Sequence, residues 1–217
     1  MLYRSTSKIA GLFLIGIALA GCQTAYYGTM EKFGVYKRDI LVDRIEDARD
    51  EQEEAKEQFK SALEQFSEVV QFDGGDLEKE YNRLNDALSR SEAKAKSVHD
   101  SIGKVDDVAT ALFKEWEQEL GQYSSAELRR ESERQFSETK TRYAQVIGAM
   151  RRAESKIEPV LVPFRDQVLF LKHNLNARAI ASLQNELDGI ESDVAALIRE
   201  MEQSIDEANA FIQAMGT

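Results

Sequence analysis

Ser137 and Lys140 are the residues whose types and spacing come closest to those of a catalytic pair. Ser-x-x-Lys is the spacing of a serine nucleophile and a lysine in one class of acyl-transferring enzymes. Nothing else in the chain resembles the partner motifs of such enzymes, and both residues lie in SETKTR (137–142), a polar stretch of a predicted helix surface. The sequence therefore predicts no catalytic residue and no enzyme.

Metal and phosphate sites also lack their usual residue patterns. His99 and His173 are the only histidines, and neither has a glutamate or a second histidine at metal-ligand spacing. The acidic run EDARDEQEEAKE (46–57) belongs to a predicted helix, which spreads carboxylates along its axis and does not wrap them around a calcium ion. DGGD (73–76) has no lysine, and its acids would repel a phosphate. We predict no metal, no cofactor and no small-molecule substrate.

Cys22 is the one cysteine, and it directly follows an apolar run. Arg4 and Lys8 give the N-terminus a positive charge, and residues 9–20 are uncharged and apolar. This run is too short to span a hydrocarbon core of about 30 Å, which needs about 20 residues. A basic start, a short apolar core and small residues at its end predict a secretory signal peptide over residues 1–21.

The end of that segment, LAGC (19–22), resembles the bacterial lipobox. This resemblance implies cleavage between Gly21 and Cys22 and acylation of the Cys22 thiol. An anchor with several acyl chains is stable in a membrane because each buried CH₂ contributes about 0.8 kcal/mol. Gln23 follows, whereas an aspartate there favours inner-membrane retention in Gram-negative lipoproteins. The resemblance thus implies a lipid anchor on the periplasmic face of the outer membrane; an uncleaved anchor helix with an incidental cysteine is the alternative.

The charge of the chain limits the kinds of partner. The net charge is −11, and removal of Arg4 and Lys8 with the signal peptide would make it −13. Nucleic-acid binding depends on neutralising phosphates, so no nucleic-acid partner is expected. An anionic lipid surface would not attract the chain strongly either, so we expect membrane contact through the lipid alone. Few prolines and many charged residues favour long helices.

Two long heptad seams occupy the first half of the predicted bundle. Apolar residues recur in alternating steps of four and three, as in a coiled coil or a long bundle helix. Gly74 and Gly75 predict a turn between the two helices, and Asp76 is expected to cap the second. Helices of about 45 residues joined by a short turn must be antiparallel neighbours, each about 70 Å long. The predicted core positions are Leu41, Ile45, Ala48, Gln52, Ala55, Phe59, Ala62, Phe66 and Val69, then Leu77, Tyr81, Leu84, Leu88, Ser91, Ala95, Val98, Ile102, Val105, Ala109, Leu112 and Trp116.

The second half contains two further seams and allows two foldings. Ser124 and Glu127 predict a capping box at the start of the third helix. This helix either bends at Pro159–Pro163 and continues to about Lys172, or it breaks there and a long helix starts at Phe164. We favour the first folding because it makes the helices similar in length. The predicted core positions are Leu128, Phe136, Thr139, Tyr143, Val146, Met150, Ala153 and Ile157, then Leu183, Leu187, Ile190, Val194, Leu197, Met201, Ile205, Ala208, Ile212 and Met215.

The segment around the two prolines is apolar on most helix faces, which predicts either complete burial or an interface. A long bundle helix has no structural need for two prolines four residues apart, each of which removes a backbone donor. We therefore predict an interaction patch here, with filled core around a bend as the alternative. His173 would be a recognition residue in the first case and a polar turn residue in the second. The predicted patch comprises Pro159, Pro163, Phe164, Val168, Phe170, Leu171, His173, Asn174 and Asn176.

The mature chain resembles a family of Gram-negative bacterial lipoproteins that is grouped as a domain of unknown function and predicted to be coiled coil. The resemblance rests on LAGC (19–22), YYGTMEKFGVYKRDILVDRIEDARD (26–50) and FLKHNLNARAIASL (170–183). It implies location and architecture but no mechanism. Together with the seams it predicts an all-α, elongated antiparallel helical bundle or coiled coil of three to four long helices over residues 31–217, after a lipid-proximal linker at 22–30.

The predicted function follows from this architecture. A lipid-anchored rod is suited to act as a periplasmic scaffold or adaptor that binds an envelope protein or a second copy of itself. A lipid-binding or membrane-shaping module is the alternative, although such modules usually need a basic concave face and this chain is acidic. An enzyme of unknown type is the least favoured reading, because a long bundle offers few concave sites.

Overall fold

Five helices make up almost all of the chain that the structure describes. The structure is a computed structural model that describes residues 36–71, 74–174 and 177–216. These residues are 92% helical and contain no strand, which confirms the predicted all-α fold. The helices are α1 (Lys37–Val70), α2 (Leu77–Leu120), α3 (Ala126–Ser155), α4 (Ile157–His173) and α5 (Ala177–Met215).

The predicted signal peptide, the linker at 22–30, Gly21, Cys22, Gln23 and Asn176 lie outside the described residues. The chain divides into two compact units, and residues 36–40 are the described part of the first, at the start of α1. The second unit begins at Leu41, and the packing described below is that of the second unit.

Ion pairs show that α1 and α2 are antiparallel neighbours, as predicted. Glu54 pairs with Lys94, and Glu68, further along α1, pairs with Arg83, which lies earlier in α2. The turn between the two helices contains Gly74 at φ +151° and Gly75 at φ +133°, a backbone region that glycine enters without a Cβ clash. Asp76 then caps α2 by accepting a hydrogen bond from the Lys79 N–H at 3.3 Å, which confirms the predicted cap.

The other helices complete an antiparallel four-helix arrangement in which α3 and α4 together form one bent helix. On one side of the bundle, the Trp116 indole of α2 donates to Ser132 of α3 at 2.8 Å. On another, the Gln184 amide of α5 donates to the carbonyl of Val70 in α1 at 3.3 Å. Arg152 of α3 lies 3.9 Å from Glu200 of α5. When α3 and α4 are counted as one bent helix, sequence neighbours are antiparallel in the described bundle.

The predicted seam of α1 is confirmed at every position, because all nine side chains are at most 2% exposed. Phe59 and Phe66 are the largest of the fully buried side chains, and the Phe66 ring meets the Phe164 ring of α4 edge-to-face at 5.8 Å. The buried stripe of α2 is wider than predicted, since it also includes Ala87, Val108 and Phe113. It is less complete than predicted at Ala95 and at its ends, where Leu77, Tyr81 and Trp116 are half-buried, as Ala95 is.

Two predictions for the start of α3 are wrong. The capping residue is Ser125, whose hydroxyl accepts from the Leu128 N–H at 3.3 Å, and not Ser124. Leu128 is 59% exposed, although the seam places it in the core. Arg152 of α3 lies beside Glu200 of α5, and the two helices are antiparallel. Met215, the last residue of α5, therefore lies at the level of the α3 residue about fifteen positions before Arg152, because both helices rise about 1.5 Å per residue. The first turns of α3 therefore lie beyond the end of α5, among the residues that the structure describes.

The predicted break in the third helix exists, but it lies at Lys156, before both prolines. The Lys156 N–H bonds to the Ala153 carbonyl at 3.1 Å, which interrupts the α-helical ladder. Pro159 explains the position, because a proline ring clashes with the carbonyl four residues earlier, here that of Ser155. Pro159 itself lies in the first turn of α4, where an N–H would have no helical partner. Pro163 lies inside α4.

The residues before the prolines, Glu158 and Val162, are helical, although a residue that precedes a proline usually favours an extended backbone. Of the two foldings, the favoured one is confirmed: α4 runs on to His173, and α5 begins at Ala177 after the turn.

Phe59→Ala tests the packing of the α1 seam. We expect the variant to lose about 3–5 kcal/mol of unfolding free energy, because it removes a fully buried ring from a site that cannot collapse completely. Chemical denaturation followed by circular dichroism measures the loss. Leu128→Ala is the matched control and should change stability by no more than about 0.5 kcal/mol, since this side chain is mostly exposed. Equal losses in the two variants would contradict the described core.

Candidate functional site

Helix α4 has a fully packed inner face. The buried residues repeat in steps of three and four, so they line one side of the helix. The same steps continue the seam of α3 through the break without a change of phase, from Met150 and Ala153 to Ile157. This continuity is the sequence signal that separates the two faces of α4. The buried residues of the inner face are Ile157, Val160, Leu161, Phe164, Val168 and Leu171.

The outer face of α4 is unusually apolar for a solvent-facing surface. Val162 is 43% exposed, Leu169 is 55% exposed and Phe170 is 39% exposed. These three make up half of the large exposed hydrophobic side chains in the described residues, the others being Tyr36, Tyr123 and Leu128. Exposed apolar residues scattered singly need no explanation, but a cluster on one short helix is typical of an interaction surface.

We define the α4 outer stripe as Pro159, Val162, Asp166, Leu169, Phe170 and His173. Apart from Phe170, which adjoins Leu169, these positions follow one another in steps of three and four and so share one helix face. Every residue of the stripe is exposed. Glu158, Arg165 and Lys172 border it, so the stripe has apolar residues on both sides of a central Asp166 and charges of both signs around it.

The structure divides the predicted patch between the two faces of α4. Phe164, Val168 and Leu171 belong to the core, so their assignment to an interface is wrong. Pro159, Phe170 and His173 are exposed, and Pro163 and Asn174 are half-buried. Asn174 caps the end of α4, where its side-chain amide donates to the Phe170 carbonyl at 2.9 Å. Val162 and Leu169 are members of the exposed surface that the sequence prediction did not include among its site residues.

Arg165 holds the edge of the stripe against α2. Its guanidinium donates to Glu92 of α2 at 2.9 Å and to Glu158 at 3.4 Å. These hydrogen bonds, that to Glu92 first, raise the pKa of Arg165, so the group stays charged at any physiological pH. Beside it lies a shallow groove of about 160 Å³ between α2 and α4, lined by Tyr81, Asn85, Leu88, Arg165, Val168, Leu169 and Lys172.

A polar cleft of about 310 Å³ lies between α1 and α2. Its lining is mostly carboxylates, including Glu51, Glu54 and Asp100. Lys94 neutralises part of this charge, with its ammonium 3.5 Å from Glu51 and paired also with Glu54. In the part of the chain that the structure describes, no three His, Cys, Asp or Glu side chains are grouped so as to hold a metal ion. The cleft is an acidic surface between two helices.

The other residues with reactive side chains lie on helix surfaces or contact side chains of their own or a neighbouring helix. Lys140 lies over the Phe136 ring, 5.4 Å from its centre, and Ser137 is exposed. His99 is exposed, and its Nδ1 lies 2.6 Å from Glu154, which joins α2 to α3. Tyr143 donates to Asp106 at 2.5 Å. Its burial, and to a smaller extent this hydrogen bond, raises the pKa of the phenol.

None of the helices over residues 36–71, 74–174 and 177–216 is long and apolar enough to cross a membrane.

Leu169→Ala and Leu171→Ala form a matched pair that tests the two faces of α4. Leu171 is fully buried, so its truncation should cost about 2–5 kcal/mol of unfolding free energy. Leu169 is mostly exposed, so its truncation should cost no more than about 0.5 kcal/mol in the monomer. Chemical denaturation at low protein concentration measures both values. A large loss for Leu169→Ala would show that this residue belongs to the core.

Comparison with known proteins identifies the family of the chain. Residues 26–215 match the family described as "Protein of unknown function (DUF2959)". The match ends with the last residue of α5 and therefore includes all five helices and the α4 outer stripe. No curated protein matches the chain. The predicted resemblance to a domain of unknown function is thereby confirmed, and the chain belongs to the DUF2959 family.

Proposed function

We propose that this protein is a lipid-anchored scaffold or adaptor on the periplasmic face of the outer membrane, without catalytic activity, and that it binds protein through the α4 outer stripe. The observation that carries this proposal is the clustering of Val162, Leu169 and Phe170 at 39–55% exposure on a helix whose other face is fully packed. The inner face accounts for the stability of α4, so folding does not explain the outer apolar residues. A role in binding explains why these residues are apolar and exposed.

The form of the stripe favours a protein partner over a small molecule. Small-molecule sites are usually concave and enclose most of the ligand. The stripe lies on the convex side of a helix, and the adjoining groove is shallow. Exposed apolar residues with charged residues around them are typical of a protein–protein interface, and the stripe has this composition apart from its central Asp166. A rigid helix also presents the stripe at little entropic cost.

Charge argues against the alternative of a membrane-binding module. Binding to anionic lipid by an amphipathic helix is strengthened by basic residues on its polar face. The border and middle of the stripe carry Arg165 and Lys172, but also Glu158 and Asp166, so no net positive charge surrounds the apolar residues. The chain as a whole has a charge of −11. We therefore assign membrane attachment to the lipid on Cys22 and protein binding to the stripe.

Cys22→Ser tests the anchor. Mass spectrometry of the wild-type protein should show an acylated N-terminal Cys22, since the thiol is the group that accepts the lipid. The variant should remain an unprocessed precursor and should leave the outer-membrane fraction. A Gln23→Asn variant is the control and should be processed as the wild type is. Intact residues 1–21 on the mature wild-type protein would contradict this part of the proposal.

A photo-crosslinking amino acid at Leu169 tests the binding surface in cells. We expect a discrete crosslinked adduct with a protein, because the side chain lies in the centre of the proposed contact. The same amino acid at Leu128 is the matched control, since that leucine is equally exposed, at 59% against 55%, but lies on α3. Absence of any protein adduct at Leu169 beyond the level at Leu128 would contradict the adaptor function.

A further inference from the structure

We propose that the partner of the α4 outer stripe is a second copy of this chain, bound with the two α4 helices antiparallel about a twofold axis that passes between Arg165 and Asp166. This inference rests on the proposed function because it uses the same surface, and it identifies the molecule that binds to the α4 outer stripe. An isologous contact requires a surface that is complementary to itself when turned by 180°. The sequence of the exposed face of α4 has this property.

The apolar residues match across such an axis. A rotation that places Arg165 opposite Asp166 of the second copy also places Val162 opposite Leu169 of the second copy, because both pairs are symmetric about the same point of the helix. Val162 and Leu169 are the two most exposed apolar residues of α4. The axis would therefore create two equivalent Val162–Leu169 contacts, which would remove these side chains of both copies from solvent. Phe170 of one copy would lie toward Pro159 of the other, at the side of this contact.

The charges match in the same register. Glu158 would face His173 of the second copy and lie one residue from its Lys172. Arg165 would lie beside Asp166 of the second copy, which adds a carboxylate to a guanidinium that already pairs with Glu92 at 2.9 Å. Arg165 and Asp166 of both copies would lie near the axis, where each carboxylate has a guanidinium beside it. A parallel pairing in register would instead bring each residue against its own copy, so Glu158 and Lys172 would each meet a like charge. Like charges across an interface oppose association, so the charge pattern selects the antiparallel arrangement.

The surroundings of α4 leave room for this contact and limit its strength. The Phe66–Phe164 contact places α4 beside the C-terminal half of α1, so the two bundles would overlap at the ends remote from Leu41. Helix α4 has 17 residues and is therefore about 25 Å long. One helix pair of this length buries less than the roughly 800 Å² per partner of a standard interface. We therefore expect a dimer that forms reversibly and depends on protein concentration.

Engineered disulfides test the contact and its direction. The full chain with Cys22→Ser, in detergent, has no other cysteine, so each added thiol is unique. Asp166→Cys should give an oxidised species at twice the mass of the 24.5 kDa chain, because the residue lies next to the axis. Val162→Cys and Leu169→Cys should each give little dimer alone, since the two copies of either residue would lie about 10 Å apart along the helix, and should give a mixed dimer when combined.

Leu128→Cys is the control and should stay monomeric under the same oxidation. A Val162→Cys protein that forms dimer by itself, with no gain on mixing with Leu169→Cys, would overturn the antiparallel arrangement. Disulfide yields at α4 no higher than that of Leu128→Cys would overturn the homodimer.

These outcomes are separable from those of the adaptor function. If crosslinking from Leu169 in cells captures a different protein while the purified chain forms no α4 disulfide, the adaptor stands and the homodimer fails. If the adduct has twice the mass of the chain, and Leu169→Ser abolishes the Asp166→Cys dimer while the matched Leu128→Ser does not, the homodimer is supported.

Discussion

Complete burial of the α1 seam is the constraint on which the rest of the bundle depends. A helix with nine successive seam positions at 2% exposure or less needs neighbours along its whole length, and α2, α3, α4 and α5 supply them. Gln52 is the polar member of that seam. Its amide donates to the Met150 carbonyl at 3.4 Å and accepts from the Ser204 hydroxyl at 2.7 Å. A buried amide without partners costs about 1–3 kcal/mol, so this layer opposes sliding of α1 against α3 and α5.

The break at Lys156 shows how the bundle accommodates two prolines without losing that core. The α-helical hydrogen bonds are interrupted at Lys156, but the buried residues before and after the break keep the same helical spacing. Phe164 therefore still contacts Phe66. The prolines lie away from the centre of the core, with Pro159 exposed and Pro163 half-buried. The bent third helix thus has a continuous buried inner face and an outer face whose side chains are exposed. That outer face is where the apolar excess lies.

Surface charges decide which helices lie together more than they stabilise the fold. Asp106 of α2 accepts from Tyr143 and pairs with Arg151, both on α3, and Glu92 holds Arg165 of α4. Exposed pairs of this kind contribute about 0–1 kcal/mol each. Stability therefore comes from apolar burial, and the charges act by excluding alternative pairings. A surface supported in this way can present an apolar stripe without needing it for folding.

The sequence by itself determined the helices, their antiparallel order and the α1 core, because a heptad repeat has a single buried face and short turns allow no other connection. It also placed Asp76 as a cap. The seam of α3, continued through the break, indicates the buried side of α4, but a segment apolar on most faces has no strong one-sided pattern of its own. Only the tertiary structure decided that Phe164 packs inward on Phe66 while Val162, Leu169 and Phe170 stay exposed. The exposure of Leu128 likewise depends on the tertiary structure, because α5 ends before it reaches this position. The break at Lys156 follows from the clash of the Pro159 ring with the Ser155 carbonyl one turn earlier, whereas Pro163 lies inside α4, and only the tertiary structure decided which of the two prolines coincides with the break.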